Sequence, residues 1–159
     1  MLVVVTVRYQ SHIRIRLNEL PRFEVKSELI GEQIGEFKGK TTGMRFLAEG
    51  KIEGSYAGAG KLLGKEATLM ATAVFAPMAN GVNMIDGNGL EMTAEGENVM
   101  HKFDGIGLST GKGLKSSNRG AVYFMTSSPK LASLNKTVGV WEWESNENGD
   151  FSVKVWAWK

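Results

Sequence analysis

The sequence predicts a single all-β domain, an antiparallel sheet of eight, at most nine, strands closed into a barrel, with one short helix near 128–134. Three observations predict it. Apolar and polar residues alternate with a period of two in short segments along the chain, whereas helical periodicity is nearly absent. Glycines number 20 against 3 prolines, and they sit inside the alternating segments rather than in linker-like runs. Several lie two residues apart, as in Gly58 with Gly60, Gly87 with Gly89 and Gly105 with Gly107. Residues i and i+2 share one face of a strand, so each pair strips that face of side chains and permits the coiling and close backbone approach of a closed sheet.

Taken in order, Phe23, Val25 and Leu29 alternate with Glu24, Lys26 and Glu28, and Ile52, Gly54, Tyr56 and Gly58 alternate with Glu53, Ser55 and Ala57. Glu66–Phe75 is alanine-rich and apolar on both faces, as in a strand covered on two sides. Val82–Thr93 and Glu97–Ser109 are joined by Ala94-Glu95-Gly96, with glycine where a hairpin bulge wants it. Leu114–Thr126 follows, and Val138–Ser145 and Phe151–Trp158 flank the Asn148-Gly149 turn signal. Ser128 as cap, Pro129 at the first position and core-facing Leu131 and Leu134 define the helix.

At 159 residues the chain can bury a core without staples, and 42% hydrophobic with 23% charged residues is ordinary for a globular domain. Cysteine is absent, which excludes disulfides, thiolate nucleophiles and cysteine-based zinc sites; with two histidines, His12 and His101, no metal site is expected. A net charge of +2 with interspersed signs argues against a nucleic-acid partner, and no apolar run approaches the ~20 residues of a membrane span. The expected location is cytoplasmic, because Arg8 interrupts the apolar start and no cleavage site follows. Residues 1–21 differ in texture, arginine-rich and without glycine, and read as an N-terminal extension, an arm or an extra strand, before a barrel domain at 22–159. Removing Met1–Leu20 is expected to leave the fold intact.

Two motif spellings fail on chemistry. Gly107-Leu108-Ser109-Thr110-Gly111 spells a nucleophile elbow, but no helix can follow and no histidine comes after Ser109. Gly60-Lys61 and Gly64-Lys65 lack the glycine spacing and the Ser or Thr of a phosphate loop. His101, alternating with Val99 and Phe103, is a candidate general acid or base. Trp141 and Trp143 share one face, as do Trp156 and Trp158, so the hairpin predicts a continuous patch of four indoles. Trp141, Trp143, Tyr56 and Phe103 are the ligand-lining candidates. Glu142 stands on the opposite face beside Val138 and Val140, either at a wet rim or held inside as a general acid. Arg119 and Tyr123 on the neighbouring strand are its candidate polar partners, completing a catalytic set of Glu142, Tyr123, Arg119 and His101.

The run Pro129-Lys130-Leu131-Ala132-Ser133-Leu134-Asn135, then Val138-Gly139-Val140-Trp141-Glu142 and Asn148-Gly149, resembles prokaryotic members of the allene oxide cyclase-like barrel group. Lys102-Phe103-Asp104-Gly105-Ile106-Gly107 and Asn118-Arg119-Gly120-Ala121-Val122-Tyr123 are similar in the same way, and the likeness spans about Phe23 to Lys159. The resemblance, shared with dirigent proteins and polyketide cyclases, implies an eight-stranded barrel with an apolar cavity, found in dimers or trimers. It carries no site residue onto this chain. The expected function is binding of a small hydrophobic molecule, with cofactor-independent cyclisation or isomerisation as the chemistry. Two alternatives stand beside it: a hydrolase using Ser109 or a carboxylate-activated water, and a non-catalytic structural or interaction barrel filled by its own tryptophans.

Overall fold

The computed structural model describes residues 29–159. Eight strands make up nearly all of it: β1 Ile30–Phe46, β2 Ile52–Leu62, β3 Lys65–Pro77, β4 Val82–Thr93, β5 Asn98–Ser109, β6 Ser116–Met125, β7 Val138–Ser145 and β8 Asp150–Trp158. Each pairs antiparallel with the next, and β8 closes on β1 to complete an up-and-down barrel. Closure leaves no unpaired edge, so every strand is hydrogen-bonded on both sides.

The paired glycines mark the inner face of the wall. Gly87 stands directly across from Phe103, Gly89 from His101 and Gly120 from Trp141. A Cβ on Gly89 would come within 2.6 Å of the His101 ring, and one on Gly120 or Gly105 would come within 2.7 or 2.8 Å of the Trp141 indole. The large inward side chains therefore lie flat across neighbouring strands that carry none. Eight strands leave an interior just wide enough to be filled by side chains, and glycine opposite aromatic is how this chain fills it.

One end of the barrel is sealed. The predicted helix is present as a 3₁₀ segment, Pro129–Lys136, with proline in its first turn and Leu131 and Leu134 buried. These two leucines, with Leu62 and Val99, are the most completely buried large side chains among the described residues. Burying each leucine contributes about 1.5–3 kcal/mol, which makes the segment a plug rather than a loop. Asn135 fastens it by a two-way clasp, accepting from the Thr126 amide at 2.8 Å and donating to the Thr126 carbonyl at 2.9 Å. Ser128 does not cap the segment; its hydroxyl donates to Glu97 instead, at 3.2 Å.

Two further expectations are corrected by the register. β1, the longest strand, lies where the alternation predicts none, because Gly31, Gly35, Gly39 and Gly43 interrupt its apolar pattern and it carries register shifts against both neighbours. Phe23–Glu28 and residues 1–21 lie outside the described residues. The β7–β8 hairpin turns where the Asn148-Gly149 step predicts, with Gly149 at φ 82°. Its register, however, sets Trp141 against Val155 and Val140 against Trp156. Odd-numbered residues thus face odd, which sends Trp141 and Trp143 inward but Trp156 and Trp158 outward, and no four-indole patch forms. No helix among the described residues is long and apolar enough to cross a membrane.

Candidate functional site

The candidate site is the barrel's interior. At its centre the side chains leave a cavity of about 70 Å³, lined by phenylalanine, leucine, alanine, isoleucine, valine and tryptophan except for Tyr56, Glu91, His101 and Asn118. Above it, at the end opposite the 3₁₀ plug, a vestibule of about 210 Å³ opens between the strands and the β5–β6 loop, lined by Gly113, Leu114 and Lys115 of that loop. Tyr56, Phe75, Asn118 and Trp143 line both spaces and form the collar between them.

Glu91 and His101 are the chemical centre of this interior. Glu91 has the same parity as Gly87 and Gly89 on β4, and His101 the same parity as Gly105 and Gly107 on β5, so both point inward. They are 4% and 8% exposed, and Nδ1 of His101 lies 2.8 Å from Oε2 of Glu91. A carboxylate among apolar side chains is tolerated only when it is paired and hydrogen-bonded. With Glu91 ionised, Nδ1 carries the proton it donates, which leaves Nε2 as the acceptor of the neutral ring. Nε2 has no hydrogen-bond partner among the described residues. An imidazole held by a carboxylate in this way has the geometry a general base needs, with its free nitrogen as the atom that could take a proton.

Aromatic rings hold the rest of the chamber. His101 packs beside Phe103 at 5.7 Å between centroids, and Phe103 meets Trp141 edge-on at 5.8 Å. The Trp141 indole N–H donates to the Ala121 carbonyl at 2.9 Å, which fixes the ring across the interior. At the collar Trp143 stacks on Phe151 at 3.9 Å, and Tyr56 stands edge-on to Trp143 at 4.9 Å. Burial pushes the Tyr56 hydroxyl up to about 12, so it stays protonated and available as a donor.

The four ligand-lining candidates, Trp141, Trp143, Tyr56 and Phe103, all lie on this interior wall, together with His101. The other three catalytic candidates do not. Arg119 and Glu142 face each other across β6 and β7 on the outer wall, where Nε of Arg119 sits 3.3 Å from the Glu142 carboxylate and its Nη2 sits 2.8 Å from Glu144. These side chains are about half exposed, a solvated arrangement worth little stability. Burial works to raise Glu144, but hydrogen bonds from Ser117 and Arg119 and the guanidinium charge outweigh it and hold the carboxyl below its ordinary range. Tyr123 is also outward, opposite Lys102 and Val138. Ser109 ends β5 at the vestibule with its hydroxyl donating to the Gly111 carbonyl at 3.4 Å. Eight residues of strand, roughly 26 Å, separate it from His101, so the two form no nucleophile–base pair.

Sequence reasoning missed Glu91 and Asn118. The signal was present, since each shares parity with a glycine that marks the inner face of its own strand.

No family model matches the chain, and no curated protein matches it in sequence. Solved structures do match it in fold. A conserved protein of unknown function from Rhodopseudomonas palustris superposes with TM-score 0.68 at 12% identity, over 79% of this chain and 94% of that one. A protein of unknown function from Clostridium acetobutylicum gives TM-score 0.69 at 10% identity, over 80% and 98%. A β-barrel-like protein from Acinetobacter baumannii gives TM-score 0.69 at 16% identity, over 82% and 95%. At these identities the likeness is one of fold, and the chain is an eight-stranded antiparallel barrel similar in architecture to these bacterial proteins.

Proposed function

We propose that the barrel binds a small hydrophobic molecule in its interior and that the Glu91–His101 pair performs proton transfer on it, giving a cofactor-independent isomerisation or cyclisation. The observation that carries this reading is the pair itself: the one hydrogen-bonded acid–base couple among the cavity-lining residues, in a wall otherwise nearly apolar. Catalysis of this kind needs only a positioned base, a dry chamber and a shape that folds the substrate. The resemblance of the C-terminal third to allene oxide cyclase-like barrels points the same way. The cavity is small, so a ligand shares its bulk between the chamber and the vestibule above the collar.

The outer wall supports the expected self-association. Met70, Leu90, Met100 and Met125 lie in one cross-strand row over β3, β4, β5 and β6, and the three methionines are 50%, 56% and 62% exposed. A homo-oligomer would cover this row, and its mass in solution, for the native chain and for Met100→Lys, tests that part of the reading.

The interior reading is tested by intrinsic tryptophan fluorescence during titration with apolar ligands: short fatty acids, cyclic terpenoids and polyketide-like esters. Trp141 and Trp143 line the chamber, so a saturable blue shift or quench is the expected result. A flat response across the panel would leave a barrel filled by its own side chains and serving as an interaction protein.

A further inference from the structure

Asn118 is 3% exposed on the collar between chamber and vestibule, and its Oδ1 is the one side-chain polar atom among the described residues that is fully buried and has no hydrogen-bond partner. Its orientation follows from a chain of protons. Ser145 Oγ donates to the Leu114 carbonyl at 2.6 Å, and it accepts from the Ser116 amide at 3.1 Å. Its proton is therefore spent, so in the 2.8 Å contact between the two hydroxyls Ser116 Oγ must be the donor. Ser116 Oγ then has only lone pairs left, and at 3.3 Å it accepts from Nδ2 of Asn118. The amide cannot be turned over without setting its oxygen against a hydroxyl that has no proton to give. What remains unpaired is an acceptor.

A buried unpaired acceptor costs more than a satisfied hydrogen bond returns, so native interiors supply a donor. Nothing on the neighbouring wall does. Gly107 stands across from Asn118 on β5 and Trp143 on β7, and a Cβ built on Gly107 would meet Asn118 Oδ1 itself, at 2.9 Å, and the Ile85 methyl, at 3.0 Å, neither of them a donor. On the proposed binding reading, on which this inference rests, we infer that the missing donor belongs to the ligand. The class is a neutral, compact, apolar ring carrying one O–H or N–H group, a phenol in the simplest case. Its donor meets Asn118 Oδ1 at the collar while its ring lies against Phe103, Trp141 and Trp143. Such a site rejects an isostere lacking the donor, because the analogue leaves the acceptor unpaired.

The test is a calorimetric titration of the native chain with phenol, anisole and toluene, repeated on Asn118→Leu. Phenol should bind roughly ten- to a hundredfold tighter than toluene and anisole, and Asn118→Leu should abolish that preference while keeping toluene. Equal binding of all three to the native chain would overturn the donor inference, assign Oδ1 to a bound water and leave the cavity reading standing. Binding of none would remove the cavity reading and the inference with it. Should Asn118→Leu fail to fold, Asn118→Ala takes its place; a phenol preference that survives loss of the amide would assign the acceptor to His101 Nε2 and overturn the inference.

Discussion

Nδ1 of His101 sits 2.8 Å from Oε2 of Glu91 across the β4–β5 hairpin, inside a wall that offers neither group another charge. The register explains the contact: His101 stands opposite Gly89 and Glu91 opposite Val99, so the two polar side chains are diagonal neighbours on the inner face. Gly89 leaves the ring room to lie toward β4. Chemistry and packing are thus set by the same glycine.

Removing one member of this pair strands the other. Glu91→Leu or His101→Leu alone should destabilise the fold by about 3–5 kcal/mol, whereas the double substitution should cost less than either single one. Urea denaturation of the four proteins gives the coupling directly, and additive costs would show that the pair is not buried together.

Glycine across from aromatic is a demand of space, and it varies by position. A Cβ on Gly120 would overlap the Asp104 carbonyl and the Trp141 ring, while nothing lies within 4 Å of one on Gly43. Gly120→Ala should lower stability by more than about 2 kcal/mol, and Gly43→Ala should change it by less than about 0.5 kcal/mol. Equal thermal shifts for the two variants would contradict the account of how the interior is filled.

The fold was legible because alternation and turn chemistry agree in the chain from β2 onward. Tyr56, Phe103, Trp141 and Trp143 were legible as wall residues for the same reason. What was not read was the direction of each face. Gly87 with Gly89 and Gly105 with Gly107 mark the inner side of β4 and β5, and reading parity from them puts Glu91 and His101 inside. Applied to Gly120 on β6, the same parity puts Asn118 inside and Arg119 and Tyr123 outside. Glu142 was misleading because an acid beside Val138 and Val140 looks buried on a strand, yet those valines belong to the outer face and are only partly covered. The four-indole patch failed on a one-residue matter, the even or odd sum of a hairpin register.

The outer candidates give a sharp comparison. Arg119→Ala, Glu142→Gln and Tyr123→Phe should each shift stability by less than about 1 kcal/mol and leave interior ligand binding unchanged. Loss of binding in any of the three, read by tryptophan fluorescence, would move the site to the outer wall.

Tyr56 makes the fold sensitive to alkali. Its hydroxyl is raised to about 12 from the ordinary 10, so between those values the unfolded chain releases a proton that the folded one keeps. The unfolded state binds fewer protons there, and stability falls as pH rises through the window, by up to about 1.4 kcal/mol per pH unit. Below pH 10 this contribution is constant. Tyr56→Phe should flatten the decline, and ultraviolet titration of the native chain should show a late tyrosinate step missing from the variant.

The most direct measurement follows the imidazole nitrogens of His101 by long-range ¹H–¹⁵N correlation while a small apolar ligand is added, with His12→Asn removing the other histidine. The expected result is a saturable shift at His101 Nε2, tracking the tryptophan signal, with Nδ1 still hydrogen-bonded to Glu91. A ligand that saturates the fluorescence yet leaves both nitrogens unmoved would contradict it, because the acid–base pair would then play no part in what the barrel binds.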